Sequence, residues 1–149
     1  MNFKPVFSLL GGGTASANPH QCKAGETIAV GDLVHADTDG LINKATAADV
    51  AIVGVAASSV TSASASEQIL VWDDPSNVYL ATADASVTQT MKYLRCDITA
   101  AQLVDVGATS GSDAITVVDL YSNYDSSAAA AQCLVTISSD KHALAAGGQ

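Results

Sequence analysis

Two pairs of aspartates are the residues of this sequence that come closest to a cation site. Asp37 and Asp39 lie in "DTDG", the spacing that opens a calcium-binding loop, and Asp73 and Asp74 are adjacent. No acidic ligand closes the first loop, because residues 41–43 are Leu, Ile and Asn. We therefore predict a tight turn at "DTDG" and, at "DDP", the end of a strand followed by a capped turn. No metal is expected.

The residue types that serve as nucleophiles, bases or phosphate cradles do not converge in any motif. His20, His35 and His142 are too scattered for a zinc pattern, and no G-x-S-x-G elbow occurs. The glycines of "GGGTAS" lack the lysine of a phosphate-binding loop. The sequence therefore predicts a protein that is not an enzyme and that uses no cofactor.

The cysteines are odd in number and widely spaced. Cys22, Cys96 and Cys133 form no CxxC pair, and this distribution predicts small, buried, reduced side chains. One disulfide with a single remaining thiol is the alternative.

Charge and hydropathy exclude two classes of partner. Fifteen acidic residues against six basic ones give a formal net charge of −9, which repels phosphate backbones, so we expect no nucleic-acid binding. No apolar run approaches the ~18 residues that a membrane-spanning helix needs, so no membrane association is expected.

The elements that would position these residues are short strands between turns. "ETIAVGDLVHA" predicts two strands around a turn or bulge, with Gly25 and Gly31 where positive φ is needed, and "LINKA" predicts the strand that follows "DTDG". "DVAIVGVAAS", a continuous apolar run around Gly54, predicts a strand that is buried on both faces or that crosses a barrel. "QILVWDD" and "NVYLATAD" predict two further strands. "AAQLVDVGATSGSDAITVVDLYS" predicts alternating segments on both sides of a glycine-rich turn, and "AQCLVTISS" predicts the last strand. The fold class expected is all-β, a single small β-barrel or a sandwich.

The two ends of the chain differ in composition from its middle. Residues 1–20 are predicted to form an N-terminal arm, residues 21–140 the β domain, and residues 141–149 a flexible tail. Burial of the apolar arm side chains and the entropy of ordering the arm nearly cancel, so the arm is expected to order on a partner. An edge strand of the same domain is the alternative. The arm residues expected to bind are Phe3, Val6, Phe7, Leu9 and Leu10.

Two aromatic residues flank the predicted turn at "DDPSN". Tyr79 is predicted to belong to the core. Trp72 adjoins the polar end of its strand, so the sequence leaves open whether it belongs to the core or contacts a partner.

The order of motifs over residues 25–119 resembles that of the capsid decoration, or cement, proteins of tailed bacteriophages. In that group a Gly-x-x-hydrophobic-x-x-Gly-Asp unit precedes a glycine-containing strand and an Asp-Pro turn ahead of an aromatic strand. The matching stretches here are residues 25–34, residues 52–56, and Asp74 with Pro75 ahead of Tyr79. The resemblance implies a small β-barrel, sometimes called a β-tulip, on the outer face of an icosahedral head.

The resemblance also implies a structural function. A protein of this kind is made in the host cytoplasm, binds the major capsid protein and stabilises the outer capsid surface of the virion. It would assemble as a homotrimer or, alternatively, as a dimer. A carbohydrate- or receptor-binding β module of a phage or bacterial surface appendage is the alternative function.

Overall fold

The fold consists of short antiparallel strands. The computed structural model describes residues 3–10, 15–47, 51–65, 67–107, 114–121 and 132–143. Regular structure in these residues comprises the 3-10 turn Gln89–Met91 and strands β1 (Phe3–Ser8), β2 (Asn18–Gln21), β3 (Thr27–Ile28), β4 (Leu33–Ala36), β5 (Ile42–Lys44), β6 (Ile52–Ala56), β7 (Val60–Thr61), β8 (Gln68–Trp72), β9 (Asn77–Thr82), β10 (Arg95–Ala100), β11 (Leu103–Asp105), β12 (Ile115–Leu120) and β13 (Gln132–Ile137). The all-β prediction is confirmed.

The strands form three sheets. The six-stranded sheet has the order β1-β9-β13-β12-β10-β11, the five-stranded sheet has the order β2-β8-β6-β4-β5, and β3 pairs with β7. Within the described residues, the edge strands β1 and β11 do not pair with each other, so the larger sheet does not close. The architecture is therefore two facing sheets. A barrel and a sandwich are the two predicted forms, and the structure is the sandwich.

The two larger sheets share the main hydrophobic core. Phe3, Tyr79 and Val135 reach this core from the six-stranded sheet, and Leu33 and Val55 reach it from the five-stranded sheet. Burial of these apolar side chains from both sheets is the main force that holds the layers together.

A second, smaller core lies on the other side of the five-stranded sheet. It contains Ile28 of β3 and Val34, Val53 and Val71 of the sheet, with Val60 of β7 packed against it. All five residues of β6 are consequently buried. Of the two predictions for the apolar run around Gly54, the strand covered on both faces is confirmed.

The β4–β5 hairpin follows the predicted turn chemistry. The N–H of Gly40 donates to the carbonyl oxygen of Asp37 at 2.9 Å, and Gly40 has φ +78°. Because only glycine adopts this left-handed conformation at little cost, "DTDG" reverses the chain at this position. Gly25 and Gly31 also have positive φ, as predicted.

The Gly-Asp turn before β4 is held by the buried side chain of Asp32. Its carboxylate accepts the N–H of Ala29 at 2.9 Å and the amide of Gln102 at 2.7 Å. The ammonium of Lys44 in β5 lies 2.9 Å away. Gln102 lies between the six-stranded sheet's β10 and β11, so Asp32 connects the turn to both large sheets.

Several segments lie where sequence alone did not place them. β8 and β9 are strands separated by the "DDPSN" turn, as predicted, but they belong to different sheets, so this turn is a corner between layers. β3 pairs with β7 and not with β4. Of the predicted tail, residues 141–143 pair with β6, while residues 144–149 lie outside the described part.

Candidate interaction surface

The first strand has one face in the core and one at the surface. β1 pairs antiparallel with β9 at the edge of the six-stranded sheet. Of the two predictions for the N-terminal residues, β1 therefore matches the edge strand of the same domain and not the separate arm. Phe3 is fully buried, and its N–H donates to the carbonyl oxygen of Gly31 at 3.1 Å. Phe3 is therefore a core residue in this structure and is not accessible to a partner.

The other four apolar residues expected to bind are exposed, and we call them the β1 patch. The exposed fractions are 49% for Val6, 44% for Phe7, 57% for Leu9 and 85% for Leu10. The register with β9 shifts between Pro5 and Phe7, which leaves Val6 as a bulge. Because a bulge interrupts the alternation of side chains, consecutive residues of β1 face solvent.

Hydrogen bonds attach the end of β1 to the corner between β8 and β9. The N–H of Leu9 donates to the carbonyl oxygen of Ser76 at 2.8 Å, and the hydroxyls of Ser8 and Ser76 are 2.8 Å apart. The N–H and the hydroxyl of Ser76 in turn donate to Asp74, at 2.8 and 2.6 Å. These Ser76 bonds lower the pKa of Asp74, so the patch adjoins a carboxylate that stays ionised.

Trp72 and Tyr79 pack at the same corner. The Tyr79 hydroxyl donates to the carbonyl oxygen of Trp72 at 2.9 Å, and burial raises the pKa of Tyr79 well above its usual value. Tyr79 is fully buried, which confirms its predicted place in the core. Trp72 is half-buried against the main core, so part of its side chain faces solvent.

Asp73 holds the edge strand β2 and does not cap the turn. Its carboxylate accepts the Asn18 amide at 2.7 Å and lies 2.8 Å from Nε2 of His20. Asp74 alone performs the predicted capping. A histidine–carboxylate pair is one half of a nucleophile-activating triad, but His20 makes no hydrogen bond to a hydroxyl or thiol of the described residues.

The "DTDG" carboxylates serve the turn. Asp37 forms an ion pair with Lys23 and accepts the Thr38 N–H at 2.7 Å, and these bonds, the one to Lys23 above all, lower its pKa. Asp39 accepts the N–H of Leu41 at 3.0 Å. The predicted turn is confirmed, and the described residues contain no group of three or more His, Cys, Asp or Glu side chains that could hold a metal ion.

The structure adds one exposed aromatic residue that sequence reasoning did not single out. Tyr93 is 72% exposed and has φ 69°, although it is not glycine. Its N–H donates to the carbonyl oxygen of Val117 at 2.7 Å, and Nζ of Lys92 lies 5.4 Å from its ring centroid. No signal in the sequence marks this position, because the fold alone determines its backbone conformation.

Comparison with known proteins yields no family assignment. No family model matches the chain, and no curated protein matches it. Among the described residues, no helix has the length and apolar character needed to cross a membrane.

Proposed function

We propose that this protein is a structural virion component that decorates and stabilises the outer surface of a phage capsid by binding the major capsid protein. The observation that carries the proposal is the β1 patch, in which Val6 and Phe7 of β1 and Leu9 and Leu10 just after its end are exposed, while β1 itself is paired with β9. An exposed group of this kind typically marks a protein–protein contact. The motif order described above supplies the kind of partner.

The charge of the chain supports the outer face of the shell. A subunit with a formal charge of −9 would be repelled by packed phosphates inside a filled head. On the outside the same charge keeps free copies soluble. Protease or biotin labelling of intact, DNA-filled heads tests this location, and full protection until the shell is opened would contradict it.

Apolar contacts are expected to contribute more to binding than ion pairs. Exposed ion pairs contribute less than about 1 kcal/mol each, whereas an apolar side chain that becomes fully buried contributes about 1.5–3 kcal/mol. Occupancy of heads should therefore change little between low and high salt.

Point substitutions in the β1 patch test the proposal directly. Deletion of residues 2–12 would also remove Phe3 from the core, so the test uses Phe7→Ser combined with Leu10→Ser. Leu70→Ser is the matched control, because Leu70 is 44% exposed in another strand. Wild type and the control should bind heads that lack the protein, and the double variant should not. Failure of the wild type to bind, or equal binding by all three, would overturn the proposal.

Self-association belongs to the same proposal. A symmetric homotrimer, or alternatively a dimer, would let one surface serve every contact on a symmetric shell. Light scattering of the free protein and its stoichiometry on heads decide between them. A monomer bound singly at scattered positions would contradict both.

The second candidate function is a carbohydrate- or receptor-binding module. The exposed ring of Tyr93 favours it, because such modules present aromatic side chains to their ligands. Trp72 presents less of its ring to a ligand than Tyr93 does, since Trp72 is half-buried. Binding to a glycan array that is lost in Tyr93→Ala, together with no binding to heads, would favour this second function over the first.

A further inference from the structure

The chain that follows β13 crosses from one large sheet to the other. The N–H groups of Lys141 and His142 both donate to the carbonyl oxygen of Ser138, at 2.8 and 3.0 Å, which forms a tight turn. The N–H of Ile52 in β6 then donates to the carbonyl oxygen of Lys141 at 2.9 Å, and the N–H of Ala143 donates to the carbonyl oxygen of Ile52 at 2.8 Å. Residues 141–143 thus pair with the first residue of β6.

This segment occupies a position on β6 that β8 leaves open. β8 pairs with β6 only at Val55 and Ala56, and it ends at Trp72. Ile52 therefore obtains its partners on that side from residues 141–143. Undocking of the segment would leave both backbone groups of Ile52 without these partners.

The side chain at the centre of the segment is a fully buried histidine. His142 is 0% exposed, and burial lowers its pKa, because the charged imidazolium loses solvation there. Asp73 and Asp74 of the nearby corner act in the opposite direction and are outweighed by burial.

The charged groups around His142 already have partners of their own. Asp73 binds Asn18 and His20, and Asp74 binds Ser76. On the turn before His142, Asp140 forms an ion pair with Arg95. Lys141 precedes His142 in the chain.

We propose that residues 141–143 form an acid-released latch, docked on Ile52 while His142 is neutral and undocked when the imidazole binds a proton. The direction follows from linkage: a buried base that prefers its neutral form favours docking at high pH and opposes it at low pH. In undocked chains the His142 imidazole is solvated and has the ordinary pKa of about 6.5. Each pH unit below that value raises the ratio of undocked to docked chains by up to about tenfold. The inference does not depend on the proposed capsid function.

Amide hydrogen exchange measured by NMR on the full chain tests the latch. Between pH 7.5 and pH 5, the protection factors of Ala143 and Ile52, corrected for intrinsic exchange, should fall at least tenfold. The protection factor of Val135 in β13 should stay constant. The fall should begin as the pH drops through the pKa of a solvated imidazole, about 6.5, because protons then bind the undocked chains. Constant protection at Ala143, or an equal fall at Val135 that signals global unfolding, would overturn the proposal.

Two variants identify the responsible histidine. His142→Phe keeps an apolar, uncharged ring and should make the protection of Ala143 independent of pH. His20→Gln removes the other histidine of this corner and should leave the pH response intact. If His20→Gln abolishes the response, His20 is the sensor and the latch proposal is wrong. If His142→Phe does not fold, His142→Gln, which is also uncharged throughout this pH range, replaces it.

Discussion

Gly54 of β6 lies directly against the backbone carbonyl of Trp72 in β8. A Cβ atom added at Gly54 would overlap that oxygen and approach Cγ1 of Val71 to 2.9 Å. The absence of a side chain is therefore what allows two central strands of the five-stranded sheet to approach each other.

Gly54→Ala should destabilise the fold by about 1–3 kcal/mol or more, because two backbones would have to separate. Gly107→Ala is the control, since its Cβ would meet only the Asp105 side chain, at an ordinary 3.6 Å. Urea unfolding of the two variants and the wild type measures the difference. Equal midpoints for both variants would show that the strands adapt easily.

The two phenylalanines of β1 should behave differently. Phe3→Ala removes a fully buried ring and should lower the free energy of unfolding by about 3–5 kcal/mol. Phe7→Ala removes a ring that is 44% exposed and should lower it by about 1 kcal/mol or less. Thermal and urea unfolding check both values. A small effect at Phe3 would mean that β1 does not belong to the domain.

Loss of Asp32 should be more damaging than loss of its ion-pair partner. Asp32→Ala removes the acceptor for Ala29 and Gln102 as well as the partner of Lys44, and should cost about 2–4 kcal/mol. Lys44→Met keeps the aliphatic stem and leaves Asp32 two donors, so its effect should be half as large or less. Unfolding free energies that reverse this order would contradict the assignment of Asp32 as a connector of the sheets.

The Lys23–Asp37 pair should contribute stability between two pH limits. The pKa of Asp37 is lowered and that of Lys23 is raised, each chiefly by the other. The contribution is therefore present between the ordinary pKa values of 3.8 and 10.5 and is lost outside them, as Asp37 gains a proton or Lys23 loses one. Melting temperatures from pH 2 to pH 5 should fall less steeply with acid in Lys23→Met than in wild type.

The buried thiols should resist alkylation. Burial is the main cause that raises the pKa of Cys133 to about 12, and the nearby Cys96 contributes a smaller part. Burial also raises the pKa of Cys22. At pH 8 only about one Cys133 side chain in ten thousand is a thiolate. Mass spectrometry after iodoacetamide treatment should find the native protein largely unlabelled and the unfolded protein fully labelled. Rapid labelling of the native protein would show that these sites open readily.

Local structure could be predicted from sequence where turn chemistry specifies it. The β4–β5 hairpin follows from Asp37 and Gly40, and the positive φ of Gly31 follows from the Gly-Asp turn. The continuous apolar run of β6 likewise revealed burial on both faces. In each case a few neighbouring residues determine the result.

Pairing between distant strands could not be predicted in this way. The sequence does not indicate that β9 lies between β1 and β13, or that β8 and β9 lie in different sheets. Which strands become neighbours depends on how the faces of the sheets pack against each other. Many strands rich in Val, Ile and Ala could pack in each other's place. The split of the N-terminal residues into the buried Phe3 and the exposed β1 patch has the same origin, because the bulge at Val6 appears only once β1 pairs with β9.

The central place of β9 between β1 and β13 has a consequence for how the chain acquires its structure. β1 begins at Phe3 and β13 begins at Gln132, so the six-stranded sheet cannot be completed until the chain has been synthesised through β13. The β4–β5 hairpin and its contact with β6 need only nearby residues and can form early. Folding dominated by distant pairings is slow, and the edge of β9 that faces β13 stays open until β13 has been made. Nascent chains are most exposed to aggregation during this interval.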